Sequence, residues 1–129
     1  MRRVVVLGAI AAALTACGAG AVGRAPIVFG ITGGNMIPYR VSIQPNGSVR
    51  IRGSGRAARR QIPPARVQQL RTEIRRAHLA GLMCVGVLPD VARRYIRLGR
   101  RTVTVHGDCE MSFESVWKDL VRAVGLRAR

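Results

Sequence analysis

Tyr39-Arg40-Val41-Ser42-Ile43-Gln44-Pro45-Asn46-Gly47-Ser48-Val49-Arg50-Ile51-Arg52 is the stretch whose reading decides the fold. Tyr39, Val41 and Ile43 alternate with Arg40 and Ser42, the period of two that a half-buried strand requires. Pro45-Asn46-Gly47 marks a turn, because Asn-Gly accepts the positive φ that other residues resist. Val49 to Arg52 then resumes the alternation. Upstream, the apolar run Pro26 to Ile31 ends at Gly33-Gly34 and reads as a strand leaving into a glycine-bearing loop. Downstream, Gly53-Ser54-Gly55 cannot hold a strand. Gly53 to Arg60 is therefore expected to be a basic loop, with Arg56, Arg59 and Arg60 solvated or bound to something anionic.

A helix is expected from Pro63-Pro64, where proline suits the first turn, to about His78. Val67, Leu70, Ile74 and Ala77 give its buried stripe, leaving Arg66, Arg71, Arg75 and Arg76 on other faces. Leu79 to Asp90 reads as irregular. Val91 to Leu98 and Arg101 to His106 form a hairpin turned by Gly99-Arg100. A second helix carries one apolar stripe through Phe113, Val116, Trp117, Leu120, Val121 and Val124. Ser112 can cap its start, Glu114 suits the first-turn dipole and Gly125 suits its stop. The order β-β-β-α-β-β-α predicts an α+β domain over residues 25–127, a small antiparallel sheet of about five strands with both helices packed on one face. The other face is left open. Alternation places Arg40, Arg50, Arg52 and Arg97, with Arg93 and Tyr95, on that face, opposite Val41, Ile51 and Ile96. This surface and the basic loop are the candidate binding region.

The amino terminus has a different build. Met1-Arg2-Arg3, the apolar run Val4 to Leu14 and the closing Leu14-Thr15-Ala16-Cys17 form the three parts of an export signal with a cysteine at the cleavage point. This resembles a bacterial lipoprotein lipobox. The resemblance implies that residues 1–16 are a signal peptide, that Cys17 carries diacylglycerol with palmitate-type chains, and that residues 17–24 tether an exported domain to the outer face of the cytoplasmic membrane. A retained transmembrane anchor is the rival reading, but a span needs about 20 apolar residues and Val4 to Leu14 falls short. A plain secretory signal with a coincidental cysteine is the third. With Cys17 lipidated, Cys84 and Cys109 remain as an even pair, and in an oxidising compartment they are expected to form a disulfide rather than two buried thiols.

Charge is the other outlier, with 22 Lys and Arg against 6 Asp and Glu. Without Arg2 and Arg3 the balance is 20 against 6, a net charge of about +14. Such a field favours polyanionic partners: lipid headgroups, cell-wall polymers, nucleic acid or an acidic protein. Every basic residue except Lys118 is arginine, a usage that codon bias alone can also produce. A domain held at the outer membrane face argues against a nucleic-acid role for this charge.

Catalytic chemistry is not legible. His78 and His106 are the only histidines. His106-Gly107-Asp108-Cys109-Glu110 tempts a metal reading, but a site needs three or four converging ligands and Cys109 is better used in the disulfide. Gly30-Ile31-Thr32-Gly33-Gly34 resembles half of a phosphate loop, yet no Lys-Ser/Thr and no helix follow it. The serines lack a neighbouring base. No cofactor, metal or catalytic residue is expected.

The glycine pair Gly33-Gly34, Tyr39 to Ile43 with Asn46-Gly47, and the block Cys84 to Trp117 resemble small exported domains of actinobacterial lipoproteins. The layout of hairpin, helix, hairpin and helix is similar to the emfourin-like inhibitors of thermolysin-type metalloproteases. The leading expectation is a non-catalytic, membrane-tethered lipoprotein domain that binds a protein or an anionic envelope component. The alternative that the second resemblance implies is inhibition of a thermolysin-like secreted metalloprotease.

Overall fold

A computed structural model describes residues 24–53 and 57–127. The expected signal peptide, Cys17, the expected tether up to Gly23, and Arg56 therefore lie outside the described residues. Nine elements follow in order: β1 (Ile27–Thr32), β2 (Tyr39–Ile43), β3 (Ser48–Gly53), β4 (Ala58–Gln61), α1 (Pro64–Arg76), β5 (Leu82–Met83), β6 (Arg93–Leu98), β7 (Arg101–His106) and α2 (Met111–Ala123). The strands form one seven-stranded sheet in the order β4-β3-β2-β1-β6-β7-β5.

The α+β class is as the sequence pattern predicts; the strand count is not. Two strands occupy stretches expected to be irregular. β4 takes the carboxyl half of the expected basic loop and pairs antiparallel with β3, Arg50 opposite Arg59 and Val49 opposite Arg60. Arg59 and Arg60, expected in that loop, extend because β3 offers them backbone partners. The short β5 pairs parallel with β7, so the sheet is mixed rather than purely antiparallel.

β1 is the centre of the sheet, flanked antiparallel by β2 and β6. Its residues Ile27 to Ile31 are all buried, which explains why it reads as a continuous apolar run instead of an alternating one. Ile27, Phe29 and Ile31 join Val41, Ile43, Val49, Ile51, Ile96, Val103 and Val105 from the other strands in one core beneath both helices. Helix α2 supplies Phe113, Val116, Trp117, Leu120 and Val121 to that core. Trp117 meets Phe29 edge-on at 5.5 Å between ring centroids and stacks with Phe113 at 5.9 Å. These aromatic contacts lock α2 over the central strand.

The helix ends follow local chemistry. Pro63 precedes α1 and Pro64 opens it, with no side-chain cap. Glu110, not Ser112, caps α2: its carboxylate accepts from the Ser112 backbone N–H at 2.8 Å. Gly125 ends α2 with a φ of +66°, where a side chain would be strained. Arg71 is not on an outer face of α1 as the helical stripe suggests; it is 1% exposed and its guanidinium donates to the Ala25 carbonyl, fastening the helix to the start of the sheet.

Candidate functional site

The open face of the sheet carries the expected arginines. Opposite the core residues, register aligns two rows across the strands. One runs Arg59, Arg50, Ser42, Val28, Arg97 and Thr102; the next runs Arg52, Arg40, Gly30, Tyr95 and Thr104. Arg93 stands two residues further along β6. Arg40, Arg50, Arg52, Arg93, Tyr95 and Arg97 thus share one face, as alternation predicts, and Arg59, expected in a loop, joins them through β4.

One residue of the expected region, Arg60, does not belong to it, and another cannot be placed. Arg56 lies outside the described residues. Arg60 alternates with Arg59 and so points to the helix side, where its Nη1 donates to the Val124 carbonyl at 2.6 Å. There it satisfies a carbonyl left open at the end of α2, a structural use of the charge. Once β4 is recognised as a strand, the same alternation that places Arg40 also places Arg60.

Other arginines are also consumed by the fold. Arg94 projects under the sheet, where it pairs with Glu114 and with Asp108 at 2.7 Å and donates to the Gly107 carbonyl at 2.8 Å. Its guanidinium lies 5.7 Å from the centroids of both Phe113 and Trp117. Burial raises the Tyr39 phenol pKa above its ordinary value, an effect that the charge of Arg94 partly opposes. Arg101 donates to the Leu79 carbonyl, and Arg66 pairs with Glu73.

The carboxylates are distributed in the opposite sense. Glu73 is on α1, Glu114 and Asp119 are on α2, and Asp90, Asp108 and Glu110 are in loops. Glu73, Asp108, Glu114 and Asp119 pair with Arg66, Arg94 and Arg122, Asp90 accepts from Asn35, and Glu110 caps α2. No open-face strand position carries an acid. Among the described residues, none of the ion pairs involves Arg40, Arg50, Arg52, Arg59, Arg93 or Arg97.

These charges also oppose one another. Arg40 faces Arg52 and Arg50 faces Arg59 directly across neighbouring strands. Like charges in that position destabilise a sheet by a few tenths of a kcal/mol per pair. A polyanion laid across the rows would relieve that repulsion.

At the centre of the face the backbone comes unusually close. A Cβ on Gly30 would collide with the Tyr39 carbonyl oxygen and stand 3.0 Å from the Tyr95 hydroxyl. The half phosphate loop of the sequence is therefore a strand interior, with Gly33 and Gly34 in the turn beyond it at positive φ. Gly30→Ala is expected to destabilise the domain by about 1–3 kcal/mol through this overpacking, read as a lower urea midpoint at unchanged slope. An unchanged midpoint would mean that the strands separate freely at Gly30.

The other sequence-level candidates find structural places. Cys84 and Cys109 form a disulfide, with Cα atoms 5.7 Å apart. His106 is 8% exposed and its Nε2 lies 2.7 Å from the Val91 carbonyl oxygen, so the imidazole holds the 84–92 segment to the sheet. His78 is exposed just beyond α1 with a φ of +46°. Among the described residues no group of three His, Cys, Asp or Glu side chains is arranged to hold a metal ion, and no helix is long and apolar enough to cross a membrane. Comparison with protein-family models, with characterised proteins and with solved structures finds no match to this chain.

Proposed function

We propose that this protein is a non-catalytic, membrane-tethered lipoprotein domain whose open sheet face binds an anionic component of the cell envelope. The observation that carries the reading is the segregation of charge. Codon bias can produce the number of arginines in the chain, but not their positions relative to the carboxylates. Six arginines share the open face, and the acids lie on the helices or in loops. The ligand chemistry that fits is a run of phosphate or carboxylate groups, spaced to meet guanidinium groups about 5 Å apart between strands and about 7 Å along them. The lipobox-like segment supplies the address: a lipid-held domain meets envelope anions before any others.

The test is retention on an immobilised anionic wall polymer, measured with the full chain in neutral detergent as salt is raised. Replacing Arg40, Arg50 and Arg52 with Ser is expected to lower the salt needed for elution and to flatten the dependence of affinity on salt, since fewer counterions are released. Replacing Arg66, Arg75 and Arg76, on the helix side, removes the same formal charge and is expected to do less. Equal effects from the two triple variants would show that net charge acts, not the face, and would end the proposal.

A further inference from the structure

The residues at one end of the sheet carry a second surface. β1 runs towards this end and finishes at Thr32, where Arg93 of β6 and His106 of β7 align with it. Three connections meet there: 33–38, 84–92 and 107–110. They are fastened together. Asn35 bonds to Asp90 through both backbone and side chain, the disulfide joins Cys84 to Cys109, and His106 holds Val91. Large hydrophobic side chains that remain exposed concentrate here: Met36, Ile37, Val85, Leu88, Val91 and Met111. Those of β5 lead into the same end. The remainder of the described surface has no such residue. Ile37 is 68% exposed and Val85 is fully so. Exposed apolar patches on soluble domains are small unless they contact something.

Resting on the anionic-ligand reading above, we infer that the bound component is the bilayer itself, with these loop tips inserted at the interface and the arginine rows lying over anionic headgroups. Two features favour a bilayer over a folded protein. Met36 and Val91 line a small pocket beside Arg94 and Asp108, but the most exposed apolar side chains, Val85 and Met111, lie outside its lining, and methionine and branched aliphatics suit a fluid medium without fixed shape. The charge complements such a surface by position. Arg93 is in line with the end of the sheet, Arg40 and Arg52 stand about 7 Å behind it, and Arg50, Arg59 and Arg97 about 13 Å behind, at about 3.3 Å of rise per residue. Measured from the end of the sheet, the first two rows fall within a Debye length of about 8 Å, and a modest tilt brings the third nearer. Asp90, Asp108 and Glu110 are at the same end, but Asp90 is engaged by Asn35, Asp108 by Arg94 and Glu110 by the Ser112 backbone N–H, which limits their repulsion from headgroups.

The full chain bearing Ile37→Trp, reconstituted with vesicles of brominated phosphatidylglycerol, tests this. Trp117 is 3% exposed in the core and supplies a constant background. The introduced indole is expected to emit at shorter wavelength and to be quenched at least twofold, with both effects lost in phosphatidylcholine and in the Arg40, Arg50 and Arg52 to Ser background. Arg100→Trp, at the opposite end of the sheet, is expected to remain unquenched. Equal quenching at the two positions, or none at position 37, would overturn the inference. If polymer retention still depended on the open face while position 37 stayed unquenched, insertion would fail and the anionic-ligand reading would stand. If face-dependent retention were also absent, both would fall.

Discussion

Arg94→Ala is expected to cost about 3–5 kcal/mol, a third or more of the total stability of a domain this size. Arg94 lies beneath β6 with a side chain 14% exposed, and Glu114, its partner on α2, is equally shielded. Removing the guanidinium strands that carboxylate in the interior, which is the expensive way to break a buried pair. Asp108 adds little, since its side chain is 87% exposed and water screens it. The Gly107 carbonyl loses its donor, and Phe113 and Trp117 lose the cation that stands 5.7 Å from both ring centroids. Removing both charges together separates the pair from its surroundings. Arg94→Met with Glu114→Leu is expected to recover most of the loss, because two apolar side chains of similar volume leave no uncompensated charge. Urea midpoints for the two single variants and the double complete the cycle. Additive losses would show that Glu114 does not depend on Arg94, and that the stability of this corner comes from packing alone.

Arg94 also shows where sequence reading loses information. Period-two alternation assigns a face to each residue of an established strand, which is why Arg40, Arg50, Arg52, Tyr95 and Arg97 are legible as neighbours from the sequence. It does not say that a charge on the buried face will find a carboxylate twenty residues away. Arg60 and Arg71 escape the pattern for related reasons. Placing Arg60 requires knowing that β4 is a strand, which depends on pairing with β3 and not on the propensity of an Arg-rich tetrapeptide. Arg71 occupies a buried position because a carbonyl at Ala25 is there to receive it. Long-range partners of this kind leave no periodic trace. The two helices are legible because Val67 and Leu70, and Phe113 to Val121, bury at the spacing of a helical face. The apolar loop end is not, since Met36, Val85 and Met111 are far apart in sequence and become neighbours only when the sheet and the disulfide gather their connections.

Replacing both Cys84 and Cys109 with Ser is expected to lower stability by about 3–4 kcal/mol, the chain-entropy value for a closed loop of this length. The separation of 25 residues encloses the 84–92 connection, β6 and β7, so the cross-link restricts a quarter of the domain in the unfolded state. For about 100 residues this corresponds to a melting temperature lower by roughly 12–25 °C. A rise in the urea slope should accompany the loss, because the freed chain expands and exposes more surface on unfolding. Thiol titration of the chain with Cys17 replaced provides the control: no reactive thiol before reduction, two after it. Two free thiols at the start would remove the disulfide and, with it, the argument from an oxidising compartment. The native state is held near Cys84 by more than the sulfur bridge, since its N–H donates to the His106 carbonyl at 2.9 Å and His106 grips Val91. The serine variant should therefore refold with the sheet intact while the 84–92 connection opens more readily, which hydrogen exchange at Val85 to Val91 would register. Because that connection carries Val85, Leu88 and Val91, loosening it is expected to weaken vesicle contact even under conditions where the domain remains folded. The staple then has two separable effects, one on the unfolded chain and one on the presentation of the apolar end.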